Sequence, residues 1–256
     1  MSNAEKIASA IAAARASGRP ALVGFLTAGF PSRERFRQDL AVVMQACDVV
    51  EIGVPFSDPM ADGTTIQRAS AAALADGVTL PWILGELRAM SPRPPAPVLL
   101  MSYLNPLLAF GLDRLPSAAR EAGVAGFIVP DLPFEESADL RSALHGAGLA
   151  LVQMVSPVTP PERLARLCAG ASGFIYAVTM TGTTGKSAEV PADAIEYMQR
   201  VKRAATIPVC AGFGIRSSEQ VRRLGAHVDG VIVGSALVEL LERGEDPRAF
   251  LRSLVA

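Results

Sequence analysis

Eight short apolar runs recur along the 256 residues, and between them lie stretches with helical starts and stops. The runs cover residues 21–27, 48–54, 97–103, 126–130, 149–155, 173–179, 207–212 and 230–234. Each is too short for a core helix, is bounded by Gly, Pro or Asp, and lacks the alternation of a strand wet on one face. Strands apolar on both faces, separated by helices, belong to a parallel sheet covered on both sides. Most start about 25–30 residues after the last, the length of one strand plus one crossover helix. Eight such units predict a single-domain (β/α)8 TIM barrel over residues 1–256, with an open doubly wound sheet as the alternative.

Helix starts are expected at Ser32 before residues 33–46, at Pro133 before a stretch reaching Leu144, at Thr159 with Glu162 ahead of residues 163–168, and at Ser217 with Gln220. Residues 1–18 place Ile7 and Ile11 one turn apart among Ala, Glu5, Lys6 and Arg15, which predicts an amphipathic helix capping one end of the barrel rather than a signal peptide. The Pro-rich piece at 91–97 runs straight into an apolar run and reads as an αβ loop. Two connections are longer than the rest, after the second and the sixth runs, where barrels carry active-site lids.

Composition removes several classes of function. A net charge of −1 without a basic run argues against nucleic acid. No apolar stretch reaches the roughly 18–20 residues of a membrane span. Cys47, Cys168 and Cys210 are scattered in apolar surroundings without metal-ligand spacing, and read as reduced core thiols of a cytoplasmic protein. His145 and His227 lie in no motif, and His145, just before Gly146, suits a helix end.

The chemistry concentrates in residues 49–63, VVEIGVPFSDPMADG. Glu51 interrupts an apolar strand, where an ionised carboxylate is costly unless it is paired or used. Asp62 follows on the loop that should fold over the barrel mouth. Asp58 and Asp62 precede Pro and Gly and also suit turn geometry. Two carboxyls in different environments can hold different protonation states and divide acid and base work. Tyr176 could orient one of them or fill the core; Phe25 and Tyr103 could wall a pocket or do the same.

Glycine turns stand where a barrel binds phosphate: Gly212-Phe213-Gly214 after the seventh run and Gly234-Ser235 where the eighth turns into a helix. Two lookalikes fail. Residues 212–217 imitate a dinucleotide fingerprint but end in Ser, with no ribose-binding acid clearly following; residues 180–187 imitate a P-loop, yet Met180 replaces its first Gly. The latter segment reads as a Gly/Thr lid.

These residues carry a resemblance. The segment EIGVPFSDPMADG (51–63) resembles the signature of tryptophan synthase α subunits, and MSYLNP (101–106), VPDLP (129–133), TGTTG (181–185), GFGI (212–215) and VGSA (233–236) resemble further family segments in the same order, over essentially the whole chain. The resemblance implies a lyase that splits indole-3-glycerol phosphate by retro-aldol chemistry into indole and glyceraldehyde 3-phosphate. It implies no cofactor on this chain, with indole passed to a PLP-dependent β subunit in an α2β2 heterotetramer. Glu51 would be the acid/base and Asp62 would hold the indole N–H. Tyr176 would position the site, Thr184 would contact Asp62 on closure, and Gly185, Gly212, Phe213, Gly214, Gly234 and Ser235 would bind phosphate. Pro55, Phe56, Asp58, Asn105, Asp131 and Pro133 would face the β subunit. Thr64 departs from the pattern, standing where the family's usual residue is Pro. Two other readings stay open here: a barrel that only modulates a β partner, and another phosphate-binding barrel enzyme such as a sugar-phosphate isomerase.

Overall fold

The computed structural model describes residues 1–93, 95–178, 192–212 and 214–255. Eight parallel strands close on themselves in sequence order. They are β1 (Ala21–Thr27), β2 (Val49–Gly53), β3 (Val98–Met101), β4 (Val124–Ile128), β5 (Ala150–Val155), β6 (Ile175–Val178), β7 (Val209–Gly212) and β8 (Gly230–Val233). The barrel is sealed by β1 pairing with β8, Ala21 opposite Gly230 and Gly24 opposite Val233.

The two faces of each strand go to different cores, because successive side chains point to opposite sides. Leu22, Leu26, Val50, Ile52, Leu100, Phe127, Val209, Ala211, Val231 and Val233 pack outward under the helices. Ala21, Val23, Val49, Leu99, Val152, Phe174, Tyr176, Cys210 and Ile232 fill the barrel. That double burial is why the strands read as unbroken apolar runs.

Twelve helices surround this barrel among the described residues: α1 (Asn3–Ala16), α2 (Phe36–Ala46), α3 (Thr64–Ala75), α4 (Leu80–Ala89), α5 (Leu104–Phe110), α6 (Leu115–Glu121), α7 (Ala138–Gly146), α8 (Pro161–Gly170), α9 (Ala192–Ala204), α10 (Ser218–Gly225), α11 (Ser235–Glu242) and α12 (Pro247–Leu254). Helix α1 is capped by Ser2 and Glu5 and buries Ile7, Ile11 and Ala14 in the interior cluster, with Asn3 Nδ2 donating to the Val124 carbonyl at 3.1 Å. It closes the N-terminal end of the barrel, as its spacing predicts. None of the helices is long and apolar enough to cross a membrane.

The structure corrects several boundaries. Strand β4 starts at Val124, not 126, because α6 ends at Glu121 and the chain turns at once through Gly123; it stops before Pro130, which has no N–H for the ladder. Ser32 does not cap α2. That helix starts at Phe36 after a turn, while Arg33 donates to the Asp76 carbonyl and lies over the Trp82 ring at 5.0 Å. Thr159 does not cap α8 either: its Oγ1 accepts from Ser156 N at 3.0 Å, and α8 opens on prolines that offer no N–H to cap. The Ser217–Gln220 capping box is present as predicted. Helix α7 runs through Gly146 and turns at Gly148. The extra length after β2 holds a ten-residue loop and two helices, α3 and α4.

Because Ile11 is fully buried against the barrel floor, Ile11→Ala is expected to lower unfolding free energy by about 2–4 kcal/mol, read by urea denaturation.

Candidate functional site

Glu51 stands on β2 opposite Phe25 of β1 and Leu99 of β3. The alternation that sends Val50 and Ile52 outward turns Glu51 into the barrel. Its side chain is completely buried, and neither carboxyl oxygen has a hydrogen-bond partner among the described residues. Loss of hydration with nothing to replace it pushes the carboxyl from its ordinary 4.5 up to about 8. Burial also raises the Tyr176 phenol and the Cys210 thiol well above their usual ranges, and a charge on Glu51 raises both further, so these three groups share one dry environment.

Asp62 lies on the loop from β2 to α3, half-buried, at the cavity wall. The loop is anchored at its start by Val54 N donating to the Met101 carbonyl at 2.8 Å. Near its end the Tyr103 hydroxyl accepts from Ala61 N at 2.8 Å and donates to Asp62 Oδ2 at 3.3 Å. Gln67 Nε2 holds the Asp62 carbonyl at 2.9 Å, and Phe56 stacks on Tyr103 with ring centroids 5.0 Å apart. Burial raises Asp62 to about 6, and the Tyr103 hydrogen bond works against that rise. Burial and the nearby Asp62 charge push Tyr103 up to about 12. Either a wall or a core role was expected for Tyr103. It is buried, as the core reading expects, and its hydroxyl also bonds Asp62, a contact 41 positions apart in sequence. The available signal was topological: the loop after β2 must come back over the end of the neighbouring strand, β3.

A cavity of about 370 Å³ opens at the C-terminal end of the barrel, and Phe25, Asp62, Tyr176, Gly214, Gly234 and Ser235 all line it. Glu51 stands behind this wall, beside Phe25 and within electrostatic reach of Tyr176. Gly212 lies under the Tyr176 hydroxyl, 2.6 Å from where a Cβ would be, so no larger residue fits. Gly214 turns the chain with φ +70°. Helix α11 starts at Ser235 with Gly234 as its cap and no capping side chain, so the positive end of the helix faces the cavity. Thr184, Gly185 and Phe213 lie outside the described residues, as does the lid segment within 179–191. A second cavity, about 300 Å³ between the β4 and β5 loops, is lined by Asp131, Pro133 and Gln153 and holds none of the predicted catalytic groups. Among the described residues no cluster of three or more His, Cys, Asp or Glu is placed to hold a metal ion.

Asp62 at the cavity lining, Glu51 behind it, and the glycines and α11 N-terminus in the same lining gather at one end of the barrel. A family model described as tryptophan synthase alpha chain matches residues 11–255. The chain belongs to the tryptophan synthase alpha chain family. It is 44% identical over 252 residues to the alpha chain of Nitratidesulfovibrio vulgaris, with 98% of each chain covered, and 45% identical over 241 residues to that of Roseiflexus castenholzii, with 93% and 92% covered. The fold is similar to the Legionella pneumophila alpha subunit (TM-score 0.87, 32% identity, 99% and 97% covered) and to a chain of Mycobacterium tuberculosis tryptophan synthase (TM-score 0.87, 36% identity, 97% of each). The family reaction is the lysis of indole-3-glycerol phosphate in tryptophan biosynthesis, carried out with a β-subunit partner.

Of the residues expected to face that partner, Asp58, Asn105, Asp131 and Pro133 are exposed, Phe56 is half-buried and Pro55 is buried. Asp131 Oδ1 accepts from Leu104 N at 2.9 Å, which ties the β3 and β4 loops together.

The Glu51 shift has a stability consequence. A carboxyl whose folded pKa rises from 4.5 to about 8 contributes stability that is complete below 4.5 and lost as pH climbs through 8. Glu51→Gln cannot ionise, so its stability relative to wild type is expected to grow between pH 5 and 8 by about 3–4 kcal/mol, read by denaturant titration at each pH. Tyr103→Phe removes the bond that restrains Asp62, and its carboxyl pKa, followed by NMR, is expected to move upward from about 6.

Proposed function

We propose that this chain cleaves indole-3-glycerol phosphate by passing protons through Glu51 while Asp62 holds the indole N–H. The observation that carries this assignment is the placement of two acids at different depths, Glu51 fully buried with no hydrogen-bond partner among the described residues and Asp62 half-buried at the cavity wall, so burial raises Glu51 to about 8 and Asp62 only to about 6. Proton delivery from Glu51 to indole C3 converts the ring to its C3-protonated form and places positive charge on the ring N–H, where the Asp62 carboxylate stabilises it. The Glu51 carboxylate then takes the proton of the glycerol hydroxyl next to C3. The C–C bond breaks, its electron pair restores the aromatic ring, and the hydroxyl carbon leaves as the aldehyde of glyceraldehyde 3-phosphate. One proton is given and one regained, so Glu51 ends as it began. The Glu51 carboxyl stands behind the cavity wall, so this step requires its side chain to turn toward the cavity.

The phosphate is assigned to the amides around Gly212, Gly214, Gly234 and Ser235, with Phe213 and Gly185, and the indole ring to the side of Phe25, Tyr176 and Asp62. Thr184 is assigned to Asp62 on lid closure. The proton economy closes with side chains alone, which supports a reaction without a cofactor on this chain; PLP is assigned to the β subunit. That partner is proposed to dock on the face of Phe56, Asp58, Asn105, Asp131 and Pro133 in an α2β2 assembly, supported by the exposed Met60 and Leu108 on the same end of the barrel. Three buried free thiols support a cytoplasmic setting.

The test is indole release from indole-3-glycerol phosphate by the purified chain, with and without a β subunit. Glu51→Gln is expected to reduce kcat by about 10²–10⁴-fold, and Asp62→Asn to reduce kcat/KM by about 10–100-fold. Equal turnover by Glu51→Gln and wild type would remove Glu51 from the chemistry. The wild-type kcat/KM should fall below about pH 6 as Asp62 protonates and above about pH 8 as Glu51 ionises.

A further inference from the structure

Both walls of the cavity are held by one surface carboxylate outside it. Glu239, on α11, receives three hydrogen bonds from two different elements. Its Oε1 accepts from Thr65 Oγ1 at 3.0 Å and from Arg216 at 2.9 Å, and its Oε2 accepts from Arg216 at 2.8 Å. Thr65 lies in the first turn of α3, three residues past Asp62. Arg216 lies two residues past Gly214 and is itself fixed by its N–H donating to Gln220 Oε1 at 2.8 Å. Glu239 shares its helix with Gly234 and Ser235, whose end of α11 lines the cavity.

We propose that Glu239 is a positioning residue that sets the separation between the Asp62 wall and the glycine wall of the site. The proposal rests on assigning Asp62 to the indole and Gly214, Gly234 and Ser235 to the phosphate. A ligand that bridges both walls gains from having them held apart at a fixed distance, because its second end then binds at a high effective concentration. A ligand that touches only one wall gains nothing from that spacing. The Arg216 guanidinium, with help from Thr65, holds Glu239 down to about 2, so the strut stays charged throughout the working range. Being partly solvent-exposed, a bidentate network of this kind contributes a few-fold effect rather than orders of magnitude.

A built-in control lies one helical turn away. Arg68 of α3 pairs with Glu242 of α11 at 3.0 and 2.6 Å, joining the same two helices without touching the turn after β7. If only helix packing mattered, breaking either pair would have the same effect.

The experiment uses the full chain as wild type, Glu239→Ala, Glu239→Gln and Glu242→Gln, with folding checked by thermal melts. Binding of free indole, of glycerol phosphate and of an indole linked through an alkyl chain to phosphate is measured by calorimetry, alongside KM and kcat. In Glu239→Ala the linked ligand is expected to bind about five-fold more weakly and KM to rise about five-fold, with kcat and both separate fragments within about two-fold. Glu239→Gln, which can still accept from Thr65, should recover most of the loss, and Glu242→Gln should match wild type. The proposal is overturned if Glu239→Ala binds the linked ligand as wild type does, if the separate fragments lose as much as the linked one, or if Glu242→Gln shows the same loss. A wild type without lyase activity that still shows the linked-ligand effect would count against the lyase assignment and leave the strut standing.

Discussion

A carboxyl inside a closed barrel has nowhere to send its charge. Water is excluded by the packed interior, and Glu51 meets Phe25, Leu99, Tyr176 and Cys210 rather than a cation. Its proton affinity is therefore set by desolvation, and desolvation depends on the barrel being sealed. Helix α1 seals one end with Ile7 and Ile11. Charged pairs lie at that same end: Arg19 with Asp48, which also accepts from Leu22 N, and Lys202 with Asp229, which also accepts from Val209 N. Each ties a loop below a strand to the first amides of the sheet. The N-terminal end holds the fold together so that the C-terminal end can leave polar groups unsatisfied.

Asp62 answers to a different constraint. It sits on a loop rather than a strand, half in water, with one hydroxyl bonded to it. It consequently rises less than Glu51, to about 6. The difference between the two acids comes from depth and from the Tyr103 hydrogen bond that Glu51 lacks. One fold thereby supplies a proton donor and a carboxylate at the same pH, within a single cavity neighbourhood.

The strands are legible because burial on both faces leaves a chemical record along each run, and Glu51 is legible as the carboxylate that breaks that record. The phosphate-side glycines were legible by position, at the ends of the seventh and eighth strands. Contacts made by loops were not. Tyr103 gives no sequence sign of meeting Asp62, because the meeting depends on how ten loop residues fold back over β3. Helix starts failed at Ser32 and Thr159 where tertiary contacts or neighbouring prolines outweighed the local capping preference, and succeeded at Ser217, where nothing competes. Glu239 was invisible for another reason: on α11 it resembles any solvated charge, and only the approach of α3 and the β7 turn gives it work.

That approach bears on Thr64, which directly follows the segment 51–63. It occupies the first position of α3, where a proline would preset φ without losing a needed N–H. The cap before it, Gly63, makes no side-chain bond, so α3 opens with neither a rigid residue nor a capping group. The Asp62 loop feeds directly into this turn and would inherit its freedom. The first turn is held from outside instead: Gln67 clasps the Asp62 carbonyl and Thr65 is bonded to Glu239. These two side chains thus supply by contact the order that a proline would have supplied through its fixed φ. On this account the Gln67 clasp and the strut at Glu239 are two parts of one solution to the placement of Asp62.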